Sequence, residues 1–166
     1  MSVSYTSFDP MSTGLFKKLD FDQILPIWEK YLWPKRISKI EKNSAMLLSN
    51  TSEKIYDMSN MNFTPTFFAY CVNGNDIAGV NSGHYCGDGS YRSRGLYVFK
   101  KYREMGIGTE LLLATIAQAK NEGAIGIWSY PRESSWKTYA KAGFKLYSDF
   151  IDDSEGNKNA YCLIRF

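Results

Sequence analysis

Apolar and polar positions recur with different periods along the chain, and the changes of period mark the elements. After Asp20, the residues Ile24, Ile27, Trp28, Tyr31 and Leu32 recur at helical spacing. Asp20 suits the N-cap, with Gln23 three residues on completing a capping-box pattern. Pro26 lies inside the stretch and is expected to bend the helix or delay its start, and Pro34 ends it. A weaker pattern of Ile37, Ile40, Ala45 and Leu48 predicts a second helix over 37–48, followed by a polar connection over 50–62.

The pattern then turns β-prone. Residues 66–72 are largely aromatic and apolar, Asn73-Gly74-Asn75 supplies a hairpin turn, and 77–86 reads as the return strand. Gly79 and Gly83 mark weak points or bulges within it. Gly87-Asp88-Gly89 makes a second turn, and 91–99 is the third strand of a meander. Residues 109–121 are the most regular helical stretch, with Leu112, Ile116 and Ala119 on one face and Gly123 closing it. A short apolar strand over 124–130 has the composition of one buried on both faces. A helix over 134–141 ends at Gly143, and 144–151 with 160–166 forms a closing hairpin across a turn holding Asp152, Asp153 and Glu155. This order predicts an α/β fold with a mixed, mostly antiparallel sheet flanked by helices. No period repeats and no low-complexity linker intervenes, so residues 1–166 read as one domain.

Composition narrows the picture. A chain of 166 residues buries roughly 70% of its unfolded surface and needs no staple. At 44% hydrophobic and 22% charged it is not disordered, and 16% aromatics favour a packed core with an aromatic-lined cleft. No apolar run approaches the ~20 residues of a membrane span, and MSVSYTSFDP lacks a basic-then-apolar leader pattern. A cytoplasmic location with no membrane partner is therefore expected. A net charge of +3 without a basic cluster argues against nucleic acid, yet allows a local patch for a phosphorylated small molecule. Cys71, Cys86 and Cys162 form no CxxC pair and read as reduced, buried thiols; His84, the only histidine, argues against a His-rich metal centre.

The segment from Val98 to Thr109, with Arg103, Gly106 and Gly108, carries the most chemistry. A strand ends, a short loop follows, and two glycines open a helix whose first N–H groups and dipole favour an anion such as a pyrophosphate. Taken alone, these glycines also suit a plain strand-to-helix turn.

In context, Leu96-Tyr97-Val98 followed by Arg103-x-x-Gly106-x-Gly108 and Leu111-Leu112 resembles the acetyl-CoA-binding motif of the GNAT family of N-acetyltransferases. Downstream, Tyr139-Ala-Lys141-Ala-Gly143-Phe144 resembles that family's second signature, in the family's order and at about its usual separation. The resemblance covers roughly 13–166. It implies the acyl-CoA N-acyltransferase fold and acetyl-CoA as cosubstrate, without a metal. It also implies that Leu96, Tyr97 and Val98 pair through their main chain with pantetheine, the Val98 N–H facing the thioester oxygen. One such donor is often worth ~3 kcal/mol as charge grows on that oxygen. The amides of Glu104, Met105, Gly106, Ile107, Gly108 and Thr109 would hold the pyrophosphate, with Arg103 at the head of the loop and Lys100 and Lys101 available to draw phosphates in. Tyr139 matches the tyrosine that donates a proton to the departing thiolate, a role a phenol of pKa near 10 can fill at neutral pH.

The sequence departs from the family at several points. Arg132 stands where many members carry a pantetheine-binding Asn, with Ser134 or Ser135 as substitutes. Ile127 stands where the ribosomal-protein branch carries a glutamate base, and Lys100 replaces a frequent proline. For the base that takes the amine's proton, His84 is the obvious chemical candidate, beside water relayed through Tyr or Ser hydroxyls. Tyr85, Tyr91, Tyr97, Trp33 and Trp128 are candidates for the acceptor cleft, and the acidic turn for attracting a cationic amine. The cysteines lie in strand patterns, so direct transfer in a ternary complex is expected over a covalent relay.

The resulting expectation is an N-acetyltransferase acting on a primary amine, either a small molecule or a peptide. Alternatives are a non-catalytic acyl-CoA-binding sensor or partner module of the same fold, and transfer of a different acyl group. A homodimer is possible through an open edge along 161–166.

Overall fold

The computed structural model describes residues 15–152 and 156–166. The segment MSVSYTSFDP and the turn residues Asp153 and Glu155 lie outside them.

One sheet runs in the order β1-β2-β3-β4-β5-β9-β6. Its strands are β1 (Leu15–Leu19), β2 (Thr66–Val72), β3 (Asp76–Tyr85), β4 (Tyr91–Val98), β5 (Gly126–Ser129), β6 (Lys145–Leu146) and β9 (Cys162–Arg165). Neighbours are antiparallel except β4 and β5, which run parallel. Strands β7 (Ile151–Asp152) and β8 (Lys158–Asn159) form a separate small hairpin. This is the expected mixed, mostly antiparallel sheet.

Helices cover both faces. Strand β2 is apolar throughout because neither face meets water. Phe67, Ala69 and Cys71 pack with Ile24 and Trp28, from α1 (Phe21–Ile27) and the turn after it. Phe68, Tyr70 and Val72 face Ile107 and Leu111 of α2 (Ile107–Asn121). Helix α3 (Trp136–Ala142) lies on the α2 side, where Tyr139 and Ala142 join Leu112, Ile116 and Phe144.

The start of α1 follows its sequence signal: the Asp20 N–H donates to Gln23 Oε1 at 2.8 Å. Pro26 sits within α1, unable to donate to the carbonyl one turn back. Directly afterwards the helix widens into a π-turn over Trp28–Leu32, closed by the Trp33 N–H on the Trp28 carbonyl at 2.7 Å.

The helix expected over 37–48 does not form. The chain there is irregular, with one bridge between Met46 and Tyr56. Ser38, Asn43 and Ser44 offer the backbone local alternatives to helix. Buried side chains then take up its polar groups. Asn43 Nδ2 donates to the Asn60 and Phe63 carbonyls, and Asn60 Nδ2 donates to those of Ser44 and Met46.

The closing hairpin is also rearranged. Strand β9 lies between β5 and β6, so 161–166 is not the open edge expected from the sequence. The opposite edge is β1, whose sequence LFKKL is short and interrupted by lysines and so carries little strand signal of its own.

Candidate functional site

The parallel pairing of β4 with β5 is confined to Tyr91 opposite Ile127 and Arg92 opposite Trp128. Beyond that point the strands part. The cause lies in β4, where the register against β3 shifts between Val80 and Ser82, leaving Gly95 and Leu96 opposite Asn81 alone. Gly95 adopts a left-handed φ of +82°. A Cβ there would lie 2.4 Å from the Trp28 indole.

Past the bulge, the Phe99 N–H bonds to the Ala78 carbonyl at 2.8 Å. Antiparallel alternation then turns the main-chain groups of Val98 to the other edge, toward the opening. The Val98 carbonyl accepts from Arg103 Nε at 2.8 Å, which ties the following loop to the strand end. Glu104 (φ +64°) and Gly106 (φ +81°) turn that loop into α2. The helical ladder begins with the Glu110 N–H on the Gly106 carbonyl at 3.0 Å. The amides of Ile107, Gly108 and Thr109 therefore have no intrahelical acceptor and stand at the positive end of a 15-residue helix.

These groups border a cleft of about 710 Å³ between the parted strands. Its walls include Leu96, Tyr97, Val98, Arg103, Glu104, Gly106, Ile107, Gly108, Thr109 and Tyr139. Of the expected run, only Met105 is outside the wall, its side chain 65% exposed. Lys100 and Lys101 lie on a separate shallow depression. Tyr31, Leu32 and Trp33 also line it, with Tyr31 stacked on Tyr97 at 5.5 Å. Arg132, in the family's Asn position, lines the cleft between the parted strands, and its Nη2 donates to the Leu32 carbonyl at 2.9 Å. It clasps the β5–α3 loop to the α1 side. Ser134 and Ser135 line the cleft beside it.

Tyr139 is 4% exposed. Burial, reinforced by Cys162, raises its phenol above the ordinary value, against hydrogen bonding with Ser129 and the charge of Arg92. It stays protonated throughout the neutral range.

His84 is not brought to the cleft. It is fully buried on β3, its Nε2 accepting the Ser44 N–H at 3.1 Å and its Nδ1 lying 2.9 Å from the Tyr85 carbonyl. Both ring nitrogens are occupied when Nδ1 carries the proton. Burial is the main cause that pushes its pKa down to about 3, with Arg92 and Arg94 adding to it. The expectation of a base is corrected: this imidazole is a neutral anchor for the 34–63 loop. Ser44, which covers the ring, lies in the 37–48 stretch whose pattern predicts a helix, so the packing that consumes His84 is not visible in the sequence.

Of the aromatic candidates, Trp33 and Tyr97 line the cleft, whereas Tyr85, Tyr91 and Trp128 do not. Tyr91 lies beneath α2 and donates to Glu122 Oε2 at 2.6 Å. Asp152 is exposed and away from the cleft. The three cysteines are buried; burial raises Cys71, Cys86 (to about 11) and Cys162 (to about 12), so they remain thiols. Among the described residues no helix is long and apolar enough to cross a membrane.

Sequence reasoning missed Arg92 and Arg94, which line the cleft while only 8% and 5% exposed. The available signal was two arginines spaced by two on a strand buried on both faces.

A sequence profile of the acetyltransferase (GNAT) family matches residues 28–144. No curated protein matches by sequence. The fold is similar to that of a nourseothricin acetyltransferase, at 14% identity and TM-score 0.61, covering 93% of this chain and 99% of that one. An aminoglycoside 6'-N-acetyltransferase complexed with coenzyme A gives 14% identity and TM-score 0.62, covering 91% and 96%. A protein of Bacillus anthracis str. Ames in complex with acetyl coenzyme A gives 18% identity and TM-score 0.59, covering 95% and 99%.

Proposed function

The chain belongs to the acetyltransferase (GNAT) family, and from that premise we propose that it moves an acetyl group from acetyl-CoA to a primary amine by direct transfer. The observation that carries this reading is the convergence, in one cleft, of the outward main chain of Val98, the unbonded amides at the start of α2, and the Tyr139 phenol. The residues present fit the cosubstrate. A strand edge freed by the Gly95 bulge offers amide partners to pantetheine, and a helix N-terminus flanked by Arg103 offers donors to a pyrophosphate.

Acetyl-CoA, when bound, supplies an activated acyl thioester that an amine can attack, forming C–N as C–S breaks. The Val98 N–H is assigned to the thioester oxygen, where a fixed donor stabilises growing negative charge. Tyr139 gives its proton to the leaving sulfur. Its raised pKa keeps the phenol protonated at neutral pH, so the proton is in place when the thiolate leaves. With His84 sequestered, the amine's proton passes to water in the cleft, past Ser129 and Tyr130. Buried, unactivated thiols support direct transfer over an acyl-cysteine relay.

Calorimetry with acetyl-CoA tests this reading, comparing the wild type with a Gly106→Arg, Gly108→Arg double variant. Micromolar binding that is lost in the variant, followed by thiol release with an amine, supports it. Binding without turnover of any amine supports the sensor module instead. No binding at millimolar cosubstrate overturns the assignment.

A further inference from the structure

Strand alternation places Arg92 and Arg94 on the same face of β4, the one opposite Tyr91 and Ser93. That face looks toward α1, away from the α2 and α3 side that carries the glycine loop and Tyr139. Arg92 lies over the Trp128 ring at 4.4 Å, and its Nε donates to the Ser93 carbonyl at 3.1 Å. Its Nη1 is buried and has no hydrogen-bond partner. Arg94 lies between Trp28 and Trp33, at 5.1 and 5.2 Å, with Nη1 on the Glu41 carbonyl at 2.9 Å. Neither guanidinium forms an ion pair among the described residues. The one carboxylate lining the cleft among these residues is Glu104, out in the glycine loop. Asn159 also lines the cleft, and its buried Oδ1, an acceptor, is likewise without a hydrogen-bond partner.

Two buried like charges without a counter-ion are costly, and an orphaned guanidinium N–H adds to that cost. Burial, with repulsion from Arg92 and Arg36 adding to it, depresses Arg94 to about 9. An anion in the cleft would stand beside both guanidinia and offset their charge.

We propose that the acceptor amine carries an anionic group, a carboxylate first of all, seated on Arg92 and Arg94; this deepens the acetyl-transfer reading above and rests on it. The site then accepts an amino-acid-like molecule. The carboxylate meets the paired guanidinia in the fork geometry that arginine provides, and an amine N–H can meet Asn159 Oδ1. A polycationic amine, such as a polyamine or an aminoglycoside, meets like charge instead. The same two charges favour the neutral form of an arriving amine, which is the nucleophilic form, where no histidine is free to act as base.

The test is calorimetry in two stages. Acetyl-CoA is titrated first, and its failure to bind overturns the transfer reading and this inference with it. Protein saturated with CoA is then titrated with α-amino acids, β-alanine, their carboxamides, phosphoethanolamine and spermidine. At least one acid is expected to bind a hundredfold or more tighter than its own amide, with spermidine weaker than either. Arg92→Met and Arg94→Met are expected to bring the acid-to-amide ratio within about threefold of one, while acetyl-CoA affinity changes less than twofold. A preference for phosphoethanolamine sustains the anion site and identifies the anion as phosphate. Acids binding no better than their amides in the wild type overturn the inference without any variant having to fold. So does a preference for spermidine, or an arginine-dependent preference for succinyl-CoA over acetyl-CoA, which would assign the pair to the acyl chain.

Discussion

The indole of Trp28 lies directly over Gly95 and donates its Nε1–H to the Gly95 carbonyl at 2.9 Å. This contact joins the turn after α1 to the bulge that opens β4 from β5. The bulge therefore has both a backbone cause, the left-handed φ at Gly95, and a packed lock.

Gly95→Ala should cost about 2–4 kcal/mol in urea denaturation, because the methyl strains the backbone and strikes the indole. Acetyl-CoA affinity should fall at least tenfold as the opening distorts. A loss under 0.5 kcal/mol, on the order of an ordinary surface change, would show that the bulge is not locked by this contact.

A methyl at Gly108 would lie 2.9 Å from Thr138 Cγ2. Gly108→Ala is expected to weaken acetyl-CoA about tenfold by pushing α3 from the start of α2. Adding Thr138→Ser, which removes the offending methyl, should recover most of the affinity. If the second change restores nothing, the glycine serves the ligand's approach and not helix packing.

Tyr139→Phe should lower kcat by roughly a hundredfold or more, the range for loss of a positioned general acid. The KM for acetyl-CoA should stay within about threefold. Because burial raises the phenol, the wild type should keep its acid up to at least pH 10. A variant with unchanged kcat would remove Tyr139 from the chemistry.

His84 is neutral when folded and takes up its second proton only near pH 3, whereas an unfolded histidine does so near 6.5. Between those values the unfolded chain binds the extra proton. The contribution of His84 is thus complete above about pH 6.5 and is lost as pH falls toward 3, by up to ~1.4 kcal/mol per unit. Denaturation of His84→Gln across pH 7 to 4 should show lower stability at pH 7 and a shallower acid slope than the wild type. An identical slope in both proteins would mean that the histidine titrates in the fold as it does in the unfolded chain.

The glycine loop and the Tyr139 helix were legible because their signals are local. Gly106 supplies a left-handed turn and Gly108 a close approach, and these demands follow from a strand-to-helix connection whatever surrounds it. Helix α2 was equally legible, since a long amphipathic stretch keeps its period in any context. The role of His84 was not legible, because a histidine's pKa depends on what covers it. Its cover is a loop whose own polar groups are satisfied by Asn43, Asn60 and the imidazole itself.

By itself, then, the sequence determined the β2–β4 meander, the helices α1, α2 and α3, the glycine turn that opens α2, and the family. These rest on short-range periodicity and on residues whose backbone freedom is intrinsic. Tertiary structure alone decided where the sheet parts, which strand closes its far side, and which buried arginines line the cleft. Arg92 and Arg94 acquire their meaning only through burial without a counter-ion. Desolvation of a charge is set by neighbours distant in the chain, such as Trp28, Trp33, Glu41 and Trp128, and no window of sequence contains them together.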